Sequence, residues 1–310
     1  MVTEAAATAA AAEAVTPMPA RTPASPEVVR ADAVPASVQF ARDSNTNWTG
    51  VLMIVLWGAG AMALLVRWRG WRPGVLDGPA WRPTIAGGLA MAVVMILAGI
   101  IGAGLGRVVG QVALGTALIQ IVVAAFIIAM RRQLMSRSEC HPSAGSWSVL
   151  GGVVGLIVAW PIVQLASMFG GAIYAGLFGG QSPMLQHESL RQLQQGGLSA
   201  ASMAIIFRAV IAAPFIEEVL YRGVIQQTMR SGGVARRTSI VFTSALFAVM
   251  HLGEGAVDGP SAWSALPALF VLSLFFGVLF ERTGRLAAPM VAHALFNLAN
   301  ILLLASGISS

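Results

Sequence analysis

The sequence predicts an all-α membrane protein, a polytopic transmembrane helical bundle of about eight helices. Hydrophobic residues make up 56% of the 310 residues and charged residues only 10%, and the mean hydropathy is +0.76. Because a soluble domain carries about 25% charged residues, this composition excludes a soluble globular protein. The apolar residues also fall in repeated stretches of about 20 residues, the length at which a helix crosses a bilayer.

The first 47 residues differ from the rest of the chain. Residues 1–47 are rich in Ala, Pro and Thr. Because proline breaks long helices and no apolar period is sustained, we expect a disordered N-terminal tail. It contains no basic region followed by an apolar core, so it is not predicted to be a cleavable signal peptide. The remainder is predicted to divide into about four N-terminal transmembrane helices over 48–198 and a transmembrane core over 199–305.

Eight apolar segments follow the tail, and most are long enough to span a bilayer. They cover residues 49–66, 84–106, 109–130, 147–178, 199–229, 238–252, 264–280 and 287–305. The fourth segment is overlong and contains Pro161, which predicts a kink, a tilt or a partly interfacial position.

The arginines indicate how the bundle lies in the membrane. All 19 basic residues are arginines, and 12 of them follow the first, third, fifth and seventh apolar segments. Because arginine accumulates in short cytoplasmic loops, we expect both termini outside. The net charge of +6 is scattered in this way, so no nucleic-acid partner is predicted. Abundant Ala, Gly and Arg without Lys is typical of a GC-rich bacterial genome, so we expect a multi-pass protein of the bacterial plasma membrane.

The last third of the chain carries ionisable and amide side chains inside its apolar segments. They are Glu217, Glu218, Arg222, His251, His293 and Asn297. A charged side chain at the centre of a membrane helix costs about 2.5 to 3.5 kcal/mol, so such residues face a cavity or a partner. A single His or Asn in such a helix is more often a packing residue, and only the joint placement indicates a site.

Counting helical residues from the arginine rows predicts the depth of these side chains. Glu217 lies 13 residues before Arg230, and His251 lies 14 residues after Arg237. At 1.5 Å per residue these separations are about 20 and about 21 Å, so both side chains are predicted at one level. The same count places Arg208 about 33 Å from Arg230, where an arginine anchors a helix at the opposite interface.

Spacing along the helices separates the roles of the two glutamates. Glu218 lies four residues before Arg222, so the two are predicted to form a supporting ion pair. Glu217 is turned about 100° away and is the carboxylate predicted to act as a base. His293 and Asn297 are also four apart, and we expect them to present two hydrogen-bond donors to one point, as an oxyanion requires.

This set of residues suits water-mediated hydrolysis of an amide bond. No HExxH zinc motif and no GxSxG serine motif lies in a membrane segment, so neither of those protease mechanisms is predicted. No cofactor is expected. Zinc held by Glu217, His251 and His293 is chemically acceptable and is the second mechanism considered.

Three motifs in this region resemble the CPBP family, the CAAX-protease and bacteriocin-processing intramembrane endopeptidases also called Abi. They are EExxxR at 217–222 with Pro214 before it, FxxxH at 247–251 and HxxxN at 293–297, the last preceded by TGRLAAPM. The resemblance covers about residues 199–305 and implies a glutamate-dependent protease. In it Glu217 activates water with His251, while His293 and Asn297 stabilise the oxyanion. Eukaryotic relatives cleave the last three residues from prenylated CAAX proteins, and bacterial relatives are linked to peptide processing and bacteriocin immunity.

The predicted function is therefore an intramembrane endopeptidase whose substrate is a peptide or a membrane-protein tail. The first alternative is a non-catalytic scaffold or bacteriocin-immunity protein, in which the polar residues only bind a partner peptide. A proton-coupled transporter is the second alternative, and the absence of inverted repeats argues against it.

Overall fold

The apolar segments form helices close to the limits that the sequence predicts. A computed structural model describes residues 52–60, 83–108, 110, 112–134, 145–179, 199–251 and 262–305. These ranges contain eight helices and no strand, which confirms the all-α helical bundle. The helices are α1 (52–60), α2 (Ile85–Val108), α3 (Val112–Leu134), α4 (Gly145–Phe178), α5 (200–231), α6 (Arg236–Met250), α7 (Ala262–Thr283) and α8 (Ala287–Ala305).

The described residues all belong to one unit, which begins at Trp48. The predicted tail over 1–47 lies outside the described residues, and so does the rest of the first apolar segment beyond 52–60. The division at residue 198 and the outside location of both termini remain predictions. Helix α4 continues through Pro161 for 34 residues, so the overlong fourth segment is one helix.

Length, hydropathy and surface exposure identify an integral membrane protein. Three described helical stretches are long and apolar enough to cross a membrane: Ile85–Val108, Val149–Phe178 and Ser264–Thr283. Large apolar side chains on the outward faces are more than half exposed, among them Leu89, Ile100, Phe126 and Phe169. Many exposed large apolar side chains on long apolar helices mark a surface that contacts lipid.

Helices α2 and α3 pack closely because glycines face each other. A Cβ atom on Gly115 of α3 would lie 2.8 Å from the Cα atom of Gly106 in α2. Gly110 lies between the two helices and has φ of 71°, a left-handed conformation that glycine adopts without a Cβ clash. Small residues at helix contacts allow such close backbone approach in membranes.

Helix α5 contacts most of the bundle. It packs against α2 and α3, against α8 and against α6, while α4 packs against α7 and α8. α5 is composite: α-helical stretches Ala200–Phe207, Ala213–Glu218 and Gln227–Ser231 alternate with π-helical stretches Arg208–Ala212 and Val219–Gln226. Short π stretches inside α-helices often occur at functional sites.

A buried polar cluster joins α5, α6 and α7 at one end. Glu281 of α7 is fully buried and accepts a hydrogen bond from Gln226 Nε2 of α5 at 2.8 Å. Its carboxylate also lies 3.3 Å from Arg236 Nε of α6 and 3.9 Å from Arg230 Nε. Two arginines of the predicted cytoplasmic rows are thus paired with a buried carboxylate, which ties together the helices on either side of the 232–235 turn.

Candidate active site

Glu217 lies between two histidines that come from different helices. Its Oε2 atom is 3.7 Å from Nε2 of His251, at the end of α6, and 3.8 Å from Nε2 of His293, on α8. These separations are too long for direct hydrogen bonds. A polar contact at such a distance is commonly bridged by water. The structure therefore brings three of the sequence-predicted residues to one point at which a water molecule could contact all three.

The orientation of His251 follows from its position at the helix end. His251 comes directly after Met250, the last residue of α6, and its Nδ1 atom lies 2.7 Å from the carbonyl oxygen of Phe247. Since a carbonyl oxygen only accepts, Nδ1 carries the hydrogen of this bond. Nε2 is then the basic nitrogen of the neutral ring, and it faces Glu217.

The orientation of His293 depends on Glu218. Nδ1 of His293 lies 3.1 Å from Oε1 of Glu218, and the imidazole stacks on the ring of Phe276 with centroids 4.9 Å apart. Nδ1–H therefore donates to the carboxylate, and Nε2 faces Glu217. A buried carboxylate in this position holds an imidazole in one orientation and stabilises its protonated form.

Glu218 also forms the predicted ion pair. Arg222 Nη1 donates to Glu218 Oε1 at 2.9 Å, and both side chains are fully buried. Arg222 Nη2 donates to Oγ of Ser273 at 2.7 Å and to its carbonyl oxygen at 3.0 Å. The guanidinium lies 5.1 Å from the ring centroid of Phe247. Sequence reasoning missed Ser273: a serine in an apolar span was the available signal, but its partner is 51 positions away.

Asn297 contacts the backbone of α5 at a point where the helix lacks an internal donor. In an α-helix the N–H of Ala213 would donate to the carbonyl of Ala209, four residues back. Within the π stretch it donates to the carbonyl of Arg208 instead, five residues back. The next N–H in this register would be that of residue 214, which is proline and has none. Asn297 Nδ2 donates to Ala209 O at 2.7 Å instead. The second hydrogen of its amide is not used by this bond.

A cavity of ≈ 220 Å³ contains the Glu217 carboxylate. Glu217, His251, His293 and Asn297 all line it, whereas the ion pair of Glu218 and Arg222 lies behind its wall. Arg208, predicted from sequence to be an interfacial anchor, also lines the cavity. The remaining lining residues are mostly apolar or small: Ile205, Ala209, Ala213, Phe247, Leu269, Leu272, Phe296, Asn300 and Ile301.

The described residues contain no cluster of three or more His, Cys, Asp or Glu side chains arranged to hold a metal ion. Glu217, His251 and His293 are the donor set that zinc would use. What the arrangement offers chemically is a carboxylate beside the Nε2 atoms of two imidazoles in a largely apolar cavity, a combination that can take a proton from water and return it.

Comparison with known proteins identifies a related family. Residues 199–299 match the family model described as type II CAAX prenyl endopeptidase, Rce1-like. CAAX prenyl protease 2 of Arabidopsis thaliana is 27% identical over 162 residues, which cover 45% of this chain and 52% of that protein. The chain thus spans about half the length of this curated relative. No solved structure matches the chain.

Proposed function

We propose, from the premise that residues 199–299 are an Rce1-like domain of the CPBP family, that this protein is a membrane-embedded endopeptidase. Its substrate would be a peptide or the tail of a membrane-associated protein, and its nucleophile a water molecule activated by Glu217. The observation that supports the proposal best is the approach of Glu217 Oε2 to the Nε2 atoms of His251 and His293, at 3.7 and 3.8 Å.

In this proposal the Glu217 carboxylate removes a proton from water while the oxygen attacks the scissile carbonyl carbon. His251 orients the water through Nε2, because its Nδ1–H is held by the carbonyl of Phe247. Glu217 then transfers the proton to the leaving amine as the C–N bond breaks, so the products are a carboxylic acid and an amine. One group serves as base and then as acid, which general acid–base catalysis allows.

The oxyanion needs donors on the opposite side of the reacting carbonyl. Protonated His293 would donate from Nε2, since its Nδ1–H is already bonded to Glu218. Asn297 would donate its second amide hydrogen, since the first is bonded to Ala209 O. Glu218 and Arg222 would act only through His293, as positioning residues.

No metal or other cofactor takes part in this proposal. Zinc on Glu217, His251 and His293 is the competing mechanism. The competing function is a scaffold or immunity protein in which the same cavity binds a partner peptide without cleaving it.

The test uses the full-length protein in proteoliposomes with a prenylated peptide that ends in Cys-aliphatic-aliphatic-X, and mass spectrometry of the products. Glu217→Gln is expected to reduce kcat about a hundredfold to ten-thousandfold while the protein stays folded, because the amide cannot accept the proton. Glu281→Gln is the control for destabilisation: it removes a buried carboxylate outside the cavity from beside Arg230 and Arg236, so we expect less folded protein but an unchanged kcat per folded molecule. Equal cleavage by the wild type and Glu217→Gln would overturn the proposal. If no peptide in cell membranes is processed less with Glu217→Gln than with the wild type, the non-cleaving scaffold is favoured.

A further inference from the structure

Arg208 lines the same cavity as Glu217, the proposed base, and precedes it on α5 by nine positions. It is half-buried and lines the cavity with Glu217. Within the described ranges, its guanidinium makes no hydrogen bond or ion pair with another side chain. Of the lining side chains, Arg208 is the permanently charged cation. A guanidinium beside apolar walls binds carboxylates strongly, because its planar N–H fork matches the two carboxylate oxygens.

The floor of the cavity between Arg208 and Glu217 is made of small side chains. Ala209 and Ala213 line it, and Ala209, Ala213 and Glu217 are spaced four residues apart. Methyl groups in these positions leave room for an extended chain along α5. The opposite walls include Leu269, Leu272 and Phe296, which suit aliphatic side chains of such a chain.

The separation of the two groups specifies the length of chain that would join them. Glu217 lies nine positions after Arg208, which is at most about 13.5 Å along the helix axis, since the α-helical rise is an upper value for the π stretch Arg208–Ala212. An extended peptide spans about 3.3 to 3.6 Å per residue, so three or four residues cover the distance.

We infer that Arg208 is a specificity-determining residue that binds a carboxylate of the substrate three or four residues beyond the scissile bond. This inference rests on the proposed function of the same cavity. We expect this carboxylate to be the α-carboxylate of a free C-terminus. The cavity walls are mostly apolar, so they suit a segment beyond the scissile bond whose only charge is at its end. An acidic side chain is the other source of the same chemistry.

Binding of short peptides tests this inference without any cleavage. The probes are the tripeptide Val-Leu-Ala as free acid, the same tripeptide as C-terminal amide, and Val-Leu-Glu with an amidated C-terminus. Their Kd values are measured on the full-length protein in detergent micelles. We expect the wild type to bind the acid about tenfold to a hundredfold more tightly than the amide, the range of one or two charge-assisted hydrogen bonds.

Arg208→Gln is expected to bind the acid and the amide equally. Arg237→Gln is the matched control, since it removes an exposed arginine that does not line the cavity, and it should keep the preference. Equal Kd values for acid and amide in the wild type, or a preference that survives Arg208→Gln, would overturn the inference. A Glu-amide that binds as tightly as the acid would overturn the C-terminal assignment.

The two proposals fail in different experiments. If Glu217→Gln cleaves peptides as the wild type does, the proposed mechanism is wrong, whereas the acid-to-amide ratio of Kd values still reports on Arg208. In an active enzyme, Arg208→Gln should raise KM for the free-acid peptide and leave kcat within about twofold, because uniform binding is lost.

Discussion

Asn297 of α8 donates an N–H to the carbonyl oxygen of Ala209 in α5, at 2.7 Å. This bond connects the helix that carries His293 to the helix that carries Glu217. It exists because the π register and Pro214 leave Ala209 O without a donor inside its own helix. Proline in a helix interior frees a backbone carbonyl, and in a membrane a side chain of a neighbouring helix can satisfy it.

The effects of Asn297→Ala and Pro214→Ala on the free energy of unfolding should not be additive. Asn297→Ala leaves Ala209 O unsatisfied, so we expect a loss of about 1 to 3 kcal/mol in the free energy of unfolding. In a Pro214→Ala background the new N–H can serve the carbonyls of this turn, and the same Asn297→Ala change should cost less. Unfolding in detergent of the wild type, both single variants and the double variant measures the coupling.

Asn300→Ala is the control for this cycle. Asn300 Nδ2 donates to Phe296 O within α8 itself at 2.8 Å. The free energy of unfolding lost in Asn300→Ala should therefore be the same with Pro or Ala at position 214. Additive effects of Asn297→Ala and Pro214→Ala would contradict the explanation given for the bond.

Glu218→Gln should lower the amount of folded protein. Its carboxylate is fully buried and contacts both Arg222 and His293. Removing one partner of a buried ion pair costs about 3 to 5 kcal/mol, because the remaining charge stays buried. Fluorescence-detected size-exclusion chromatography of the variant, compared with Glu217→Gln, measures the difference in abundance.

Replacing both members of the pair separates stability from chemistry. Glu218→Gln with Arg222→Met removes the uncompensated charge, and we expect part of the folded protein to return while activity stays low, since His293 has lost its carboxylate. Equal abundance of Glu218→Gln and Glu217→Gln would be incompatible with a structural role for the ion pair.

The two histidines should respond differently to substitution by Gln. His251 is half-buried at the end of α6, so His251→Gln should reduce kcat by about a hundredfold to ten-thousandfold with little change in melting temperature. His293 is buried and bonded to Glu218, so His293→Gln should reduce both. Initial rates and thermal unfolding of the same preparations check this, and a destabilised His251→Gln with full activity per folded molecule would refute it.

Cleavage should persist in excess chelator if water is activated by Glu217 alone. The measurement is the initial rate of the proteoliposome assay after dialysis against a chelator, with and without added zinc. Zinc binding makes an active site depend on metal supply. Full loss of activity that zinc restores would establish the zinc mechanism in place of the metal-free one.

Several features could be predicted because they depend on residues close in sequence. Helix limits follow from apolar length, and the pairing of Glu218 with Arg222 follows from four-residue spacing on one helix. The level of Glu217 and His251 follows from helical rise counted on two helices joined by a short turn. Each of these quantities is set by local backbone geometry, so a single sequence contains it.

What only the tertiary structure decided involves contacts between distant residues. Ser273 meets Arg222 across 51 positions, and Asn297 meets Ala209 across 88. The sequence placed Arg208 at a membrane interface by depth alone, whereas the packed helices place it on the cavity of Glu217. Composition and spacing specify which side chains each helix carries. Which of them meet is determined by the π register of α5 and by the packing of α8 against it, because a carbonyl left without a donor in one helix accepts a hydrogen bond from another.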